Sequence, residues 1–266
     1  MVNPAWQNYS SMFREVAAAK DARTAMERTH HLTAGLYFGI AALEAFLNGK
    51  MRERLCERGT EEAGTIEVLR KGQIMTKLKK WPAELLTSPF TVPPGTLDQI
   101  SFFNNIRGNL THPKTGGHDL YARLETVDPD DVINVTAEYV ARFHEAEATH
   151  FPYWLFGWNY LNPRPDSYEI ILLGNQQFSY SLQNLGFRVP AAEWGASEAW
   201  RNRFLGTYAG YVELRDCLRA LNHCEAKQSM FPFQPKLCRR WWSADHQARC
   251  GNVTDAALKV ARSIGG

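Results

Sequence analysis

The chain has 266 residues, of which 44% are hydrophobic and 12% aromatic, enough to bury one large core or two modest ones. Nothing in it has the composition of a long disordered segment, so we expect a folded protein. Up to His150 there are 17 basic and 19 acidic residues, a net charge of −2, against 13 and 9 afterwards, a net charge of +4. Long-range attraction for phosphate is therefore modest and weighted towards the C-terminal half.

The cysteines and the N-terminal residues bear on the cellular compartment. Five cysteines, an odd number in a chain of this length, do not suggest a secreted disulfide framework. The N-terminal residues lack a basic flank leading into an apolar run, and the first strongly apolar stretch, residues 32–47, is internal and carries Glu44. We therefore expect a cytoplasmic protein with reduced thiols, no signal peptide and no membrane span.

Helical periodicity dominates the first half of the chain. Apolar residues recur at helical spacing over 21–58, which predicts one long helix with a bend at Gly35 or Gly39. A second helical segment is expected over 61–81, with a break near Gly72.

Two more helices complete this predicted domain. Thr96 has the position of a helix start, and an apolar stripe follows it as far as Leu110. Asp128 and Pro129 indicate the start of a helix that runs to about Ala148 with a buried apolar face. Residues 1–150 are thus predicted to form an antiparallel bundle of four or five helices.

Beyond His150 the composition changes, and we predict a second, smaller and mostly helical region over residues 151–266. Aromatic residues crowd 151–160, where they could stack on bases or pack the two halves together. A helix capped by Ser197 is expected over 197–224. Residues 168–173 suit a buried strand or a helix start equally well.

The candidate catalytic residues are Arg107 and His112, five positions apart before Pro113. Pro113 and the glycines that follow disfavour helix at His112 and beyond, which leaves its imidazole at a helix end or loop mouth. Cleavage of RNA without a metal needs a base for the 2'-hydroxyl, an acid for the departing 5'-oxygen and positive charge beside the phosphorane. An imidazole can act as base or acid at neutral pH, and a guanidinium stays charged and can fork onto phosphate oxygens.

In two segments, the chain resembles the HEPN superfamily, helical domains named for higher eukaryotes and prokaryotes nucleotide-binding, many of which are metal-independent ribonucleases. The segments are Ala41-Ala42-Leu43-Glu44-Ala45-Phe46-Leu47-Asn48 and Asn105-Ile106-Arg107-Gly108-Asn109-Leu110-Thr111-His112-Pro113. The second is similar to the family pattern of an Arg and a His separated by four to six residues, followed by a Gly-rich turn and a final helix. The likeness covers roughly residues 20–150.

The resemblance implies a homodimer in which the Arg/His motifs of both subunits meet at a two-fold interface. It also implies an RNA substrate, a toxin or antiviral defence role, and an antitoxin or regulatory protein as partner, without a cofactor. Gly108 stands where the family usually has a polar residue, often Asn, and Asn105 or Asn109 are the candidates to replace it. A noncatalytic scaffold is the alternative, with Arg107 paired to an acid and His112 capping helix carbonyls.

Further residues are candidates for substrate contact. Around the motif they are Asn105, Asn109, Lys114, His118 and Arg123. In the C-terminal region Arg239, Arg240 and Trp241 combine cationic and stacking side chains, as single-stranded RNA binding favours, although aromatic residues this dense also suit a core.

Other polar residues favour structural interpretations. Lys77, Lys79 and Lys80 are expected on a solvated face. His30 and His31, adjacent on the first long helix, should point about 100° apart and not act as a pair. No metal site is predicted, because the spacing of the late cysteines favours buried thiols over zinc ligands. These cysteines are Cys217, Cys224, Cys238 and Cys250.

Overall fold

The computed structural model describes residues 3–111, 119–156, 202–203 and 205–222. In these residues the protein is mainly helical, as the sequence predicts, and none of them forms a strand. The chain divides into two compact units, Met1–Glu147 and Ala148–Gly266. Each unit is described by itself below.

The first unit contains more helices than the sequence pattern indicates. Its described residues form α1 (Pro4–Asp21), α2 (Ala25–Glu57), α3 (Glu62–Arg70), α4 (Ile74–Leu85), α5 (Pro94–Thr111), α6 (Asp119–Glu125) and α7 (Pro129–Glu147). The expected four or five helices become seven because α1 and α6 were not predicted. The helix that carries Arg107 is consequently third from last in this unit, whereas the two helices expected at the end of the domain would make it the penultimate one.

Helix α1 has clear sequence signals at its start. The Asn3 side chain accepts hydrogen bonds from the backbone N–H groups of Ala5 and Trp6, at 3.0 and 3.3 Å, and Pro4 occupies the first turn. An N-cap Asn followed by Pro is a typical helix start. Tyr9 and Met12 are fully buried at a spacing of three residues, so the helical period is present in the sequence as well.

Helix α2 is the centre of the first unit and is continuous over Ala25–Glu57. It packs against all six other helices, most extensively against α1. Gly35 and Gly39, the two positions proposed for a bend, both lie inside this continuous helix. Both glycines allow a close approach, since a Cβ at Gly35 would lie 3.3 Å from Val16 Cγ2 and one at Gly39 would lie 3.0 Å from Met12 Sδ.

Among the described residues, α2 is also the one helix whose length and composition would allow it to cross a membrane. Half of its apolar stretch is buried inside the structure. A buried core helix of a soluble protein has the same properties, so the structure is consistent with the expected soluble protein. The cytoplasmic location stays a prediction.

The remaining helix boundaries in this unit agree closely with the sequence pattern. The break expected near Gly72 separates α3 from α4, and Gly72 has a φ of 91°, which favours glycine. At the start of α7 the Asp128 carboxylate accepts a hydrogen bond from the Asp130 N–H at 2.9 Å. The predicted apolar face of α7 is buried throughout: Val132, Val135, Tyr139, Val140 and Phe143.

The expected solvated face of α4 is only partly observed. Lys79 and Lys80 are exposed, but the Lys77 side chain is only 2% exposed, so its assignment to this face was wrong. Its ammonium donates three hydrogen bonds, to Glu44 Oε1 (2.8 Å), Asn48 Oδ1 (3.0 Å) and the Leu69 carbonyl (2.8 Å). Burial is tolerated because all three ammonium donors have partners.

The second unit is built around aromatic packing in its described part. A short 3-10 helix, Tyr153–Phe156, follows Phe151, and helix α8 spans Tyr208–Asn222. The Tyr211 ring lies 5.7 Å from that of Phe151 and 5.0 Å from that of Phe156. These members of the aromatic run therefore pack inside their own unit.

The predicted helix over 197–224 is interrupted among the residues that the structure describes. Gly206 and Thr207 are bent, and the Thr207 hydroxyl accepts a hydrogen bond from the Gly210 N–H at 3.0 Å, which caps the start of α8. A Cβ at Gly206 would lie 2.7 Å from the carbonyl oxygen of Asn202. The chain can turn there because position 206 has no side chain. Ser197, the predicted cap, lies outside the described residues.

Candidate functional site

Helix α5 presents Arg107 on the side that faces the core. Successive residues of an α-helix are about 100° apart, so Arg107 shares a side with Ile100 and Phe103, which are 0% and 3% exposed. Arg107 itself is only half-buried. Its charged group can thus reach solvent from the edge of the bundle.

Arg107 is in contact with Tyr37 of α2 in two ways. The Tyr37 hydroxyl donates a hydrogen bond to the Arg107 backbone carbonyl at 3.3 Å. The guanidinium carbon of Arg107 lies over the Tyr37 ring, 5.9 Å from its centroid. A cation at this distance from an aromatic face is attracted by the ring quadrupole.

The two asparagines predicted to assist Arg107 lie on another side of the helix. Asn105 and Asn109 are each two residues from Arg107 and so about 160° away from it around the axis. Asn105 is exposed, while Asn109 is half-buried. Asn104 is three residues from Arg107 and only about 60° away on the same side. Sequence reasoning missed Asn104, although the i, i+3 spacing could have indicated it.

Gly108, which follows Arg107, is exposed and has open space around it. A Cβ at this position would have no heavy atom within 4 Å apart from the helix's own backbone and neighbours. A polar side chain such as Asn therefore fits here without displacing any described neighbour.

A second pair of an arginine and an aromatic ring lies between α5 and α6. The guanidinium carbon of Arg123 lies 5.6 Å from the centroid of the Phe102 ring. Arg123 is exposed, and Tyr121 of the same short helix is 57% exposed. These two residues are about 160° apart around α6, so they do not form one continuous surface.

His112, Lys114 and His118 lie outside the described residues, as do the candidate RNA contacts Arg239, Arg240 and Trp241. The described part of α5 ends at Thr111, the residue directly before His112 in the sequence. Of the two candidate catalytic residues, only Arg107 lies among the described residues.

Comparison with protein-family models, curated proteins and solved structures finds no match to this chain.

Potential metal ligands are dispersed in the described part of the chain, where no group of three or more His, Cys, Asp or Glu side chains could hold an ion. His31 Nδ1 lies 2.8 Å from Glu15 Oε2. Its ring also meets that of His30 edge-on, with centroids 5.1 Å apart. The two rings are thus in edge-on contact, although adjacent helix positions are about 100° apart; His30 is exposed and His31 is half-buried. The side chains of the four late cysteines lie outside the described residues.

Taken together, the described site consists of a positively charged group at the edge of a rigid helical core. A guanidinium held in this way can bind phosphate oxygens bidentately and stabilise negative charge that develops on them. It cannot supply the proton transfer that RNA cleavage needs, because a guanidinium does not give up its proton at neutral pH. That role requires a second group, for which His112 is the candidate.

Proposed function

We propose that the protein is a metal-independent endoribonuclease in which Arg107 and His112 act on the RNA backbone. The observation that carries this proposal is the half-buried guanidinium of Arg107 on the Tyr37 ring, near the described end of α5. The likeness of the motif to the HEPN pattern supports it. A role as a toxin or antiviral defence effector, held in check by an antitoxin or regulatory protein, belongs to the same proposal.

In the proposed reaction the ribose 2'-oxygen attacks the adjacent phosphorus. One imidazole removes the 2'-hydroxyl proton, and a second donates a proton to the 5'-oxygen as its bond to phosphorus breaks. The products are a 2',3'-cyclic phosphate and a 5'-hydroxyl. Arg107 stabilises the charge on the nonbridging oxygens as the phosphorane forms.

The proposal includes a homodimer because one motif supplies a single imidazole, whereas this mechanism uses two. Two copies related by a two-fold axis would bring together two His112 and two Arg107 side chains. Asn104, on the same side of α5 as Arg107, is available for a further hydrogen bond to phosphate.

The test is RNA cleavage by purified protein in the presence of EDTA. Wild type should degrade mixed RNA, whereas Arg107→Ala and His112→Ala should be slower by about a hundredfold or more, the usual effect of removing a group that stabilises transition-state charge or moves a proton. Arg14→Ala and His30→Ala are matched controls, since both residues are exposed on α1 and α2, and they should cleave like wild type.

The alternative is a noncatalytic scaffold that dimerises and binds a protein or nucleotide. The position of Arg107 on the core-facing side of α5 favours it, since such an arginine can serve packing alone. Equal traces of cleavage in wild type and all variants, with every variant folded by circular dichroism, would indicate contamination and support the scaffold.

A further inference from the structure

We infer that Tyr37 is a positioning residue that holds the Arg107 guanidinium in the orientation needed to bind phosphate. This inference rests on the proposed function, because it concerns the same arginine. It adds a residue from α2, outside the Arg/His motif, and 70 positions before Arg107 in the chain.

Two contacts between the same two residues restrict the arginine. The hydrogen bond from the Tyr37 hydroxyl to the Arg107 carbonyl fixes the tyrosine ring relative to the α5 backbone. The ring then provides a flat surface under the guanidinium, at 5.9 Å from centroid to carbon. Backbone and side chain of Arg107 are thus both held by one residue.

The position of Tyr37 in the core helix makes this support rigid. Its neighbours Leu36 and Ile40 are 0% and 3% exposed, so the helix segment that carries it has little freedom to move. An arginine side chain that is held before the reaction loses less rotamer freedom when it binds phosphate.

A correctly oriented guanidinium stabilises the negative charge that develops in the transition state more than it stabilises the bound substrate. Its orientation therefore affects kcat more than KM. Removal of the ring should lower kcat about tenfold, less than removal of the guanidinium itself. A variant that keeps the ring and loses only the hydroxyl should retain most of the activity.

The test compares Tyr37→Leu, which loses ring and hydroxyl, with Tyr37→Phe, which keeps the ring. Phe38→Leu is the matched control, since Phe38 is the next residue of α2 and is also half-buried. Two quantities are measured: the kcat and KM of RNA cleavage in EDTA, and the NMR position of the Arg107 Nε–H resonance, assigned with Arg107→Lys.

We expect the Arg107 resonance to move in Tyr37→Leu, because the ring current of the tyrosine is lost, and to stay near its wild-type position in Tyr37→Phe and Phe38→Leu. The kcat should fall about tenfold in Tyr37→Leu alone, with KM within about twofold. An unmoved resonance, or an unchanged kcat in Tyr37→Leu, overturns the inference. If wild type does not cleave RNA, the proposed function fails, and a moved resonance still supports the orientation of Arg107 by Tyr37.

Discussion

The Tyr37 hydroxyl donates a hydrogen bond to the Arg107 carbonyl at 3.3 Å, and the Arg107 guanidinium lies over the Tyr37 ring. These contacts join the middle of the central helix α2 to the last turns of α5. The candidate site is therefore supported by the helix that packs against every other helix of the first unit. Changes that disturb the packing of α2 should affect both stability and activity.

The first prediction concerns the close packing of α2 at Gly39. A Cβ there would lie 3.0 Å from Met12 Sδ and 3.3 Å from Val132 Cγ1, so Gly39→Ala should overpack the contact between α1, α2 and α7. We expect a net loss of about 1 kcal/mol in the free energy of unfolding, since overpacking typically costs about 1–3 kcal/mol and the better helix propensity of Ala returns about 0.5–1 kcal/mol.

Gly49→Ala is the matched control on the same helix. A Cβ at Gly49 has no heavy atom within 4 Å apart from its own helix backbone and neighbours, so this variant should be more stable by about 0.5–1 kcal/mol. Urea denaturation measures both changes. An equal gain in both variants would show that the two glycines are equivalent and that Gly39 is not a contact site.

The second prediction concerns the buried ammonium of Lys77. Glu44→Ala should cost about 3 kcal/mol, because it leaves a buried charge without its carboxylate partner. Lys77→Met should cost less, since Glu44 is 35% exposed and can be solvated once the lysine is gone. Thermal or urea unfolding of both variants and of the double variant gives the coupling between the two residues.

Lys79→Met is the control for this series, because Lys79 is an exposed lysine of the same helix and should change stability by no more than about 0.5 kcal/mol. If Glu44→Ala were as harmless as Lys79→Met, the buried ion pair would not contribute to the fold as argued.

The third prediction concerns Gly108, which has open space where a side chain would be. Gly108→Asn should fold normally and raise stability slightly, because a residue with a Cβ loses less backbone entropy than glycine in a helix. If the motif functions like that of the family it resembles, RNA cleavage in EDTA should also increase. Gly108→Ala separates the two effects, since it should stabilise the helix without adding a hydrogen-bonding group.

The fourth prediction concerns pH and Asp131 in the first turn of α7. Burial, together with the negative charges of Asp128 and Asp130, raises the pKa of Asp131. The folded state therefore holds this proton more tightly than the unfolded state, so stability falls as pH rises from the ordinary pKa of an aspartate to the raised value. Asp131→Asn should have a higher Tm than wild type at pH 7. Below about pH 3 the two should have the same Tm, because the Asp131 carboxyl is then protonated in both the folded and the unfolded wild-type protein.

Scanning calorimetry at both pH values tests this prediction, with Asp98→Asn as an exposed control on α5. The Asn side chain can still hydrogen-bond to Gln99, which contacts Asp131 in the folded protein. The prediction would be contradicted if the Tm difference between wild type and Asp131→Asn were the same at both pH values.

The helices that could be predicted are those with strong local signals. The start of α7 at Asp128 and Pro129 and the break at Gly72 follow from capping and glycine chemistry, and both are observed. Helix α6 has only seven residues, too few for an apolar period to stand out. Seven residues make only about two turns, so the sequence carries too little of the helical period to indicate this helix.

The site could be predicted only in part, because its contacts join residues that are far apart in the sequence. The apolar spacing predicts that Arg107 lies on a helix, and it does. Its contact with Tyr37, however, joins residues 70 positions apart, which no local pattern reveals. The burial of Lys77 depends in the same way on Glu44 and Asn48 of another helix. From the sequence alone, closely spaced lysines are expected to be exposed to solvent, and only the contacts with other helices show that one of them is buried.

The most direct test of the proposed ribonuclease activity is to identify the ends that the protein leaves on a single-stranded RNA cleaved in EDTA, by mass spectrometry, for wild type and Arg107→Ala. We predict 2',3'-cyclic phosphate and 5'-hydroxyl ends from wild type, and a rate lower by about a hundredfold or more in the variant. Cleavage that leaves 3'-hydroxyl ends, or that proceeds at the same rate without Arg107, would contradict it.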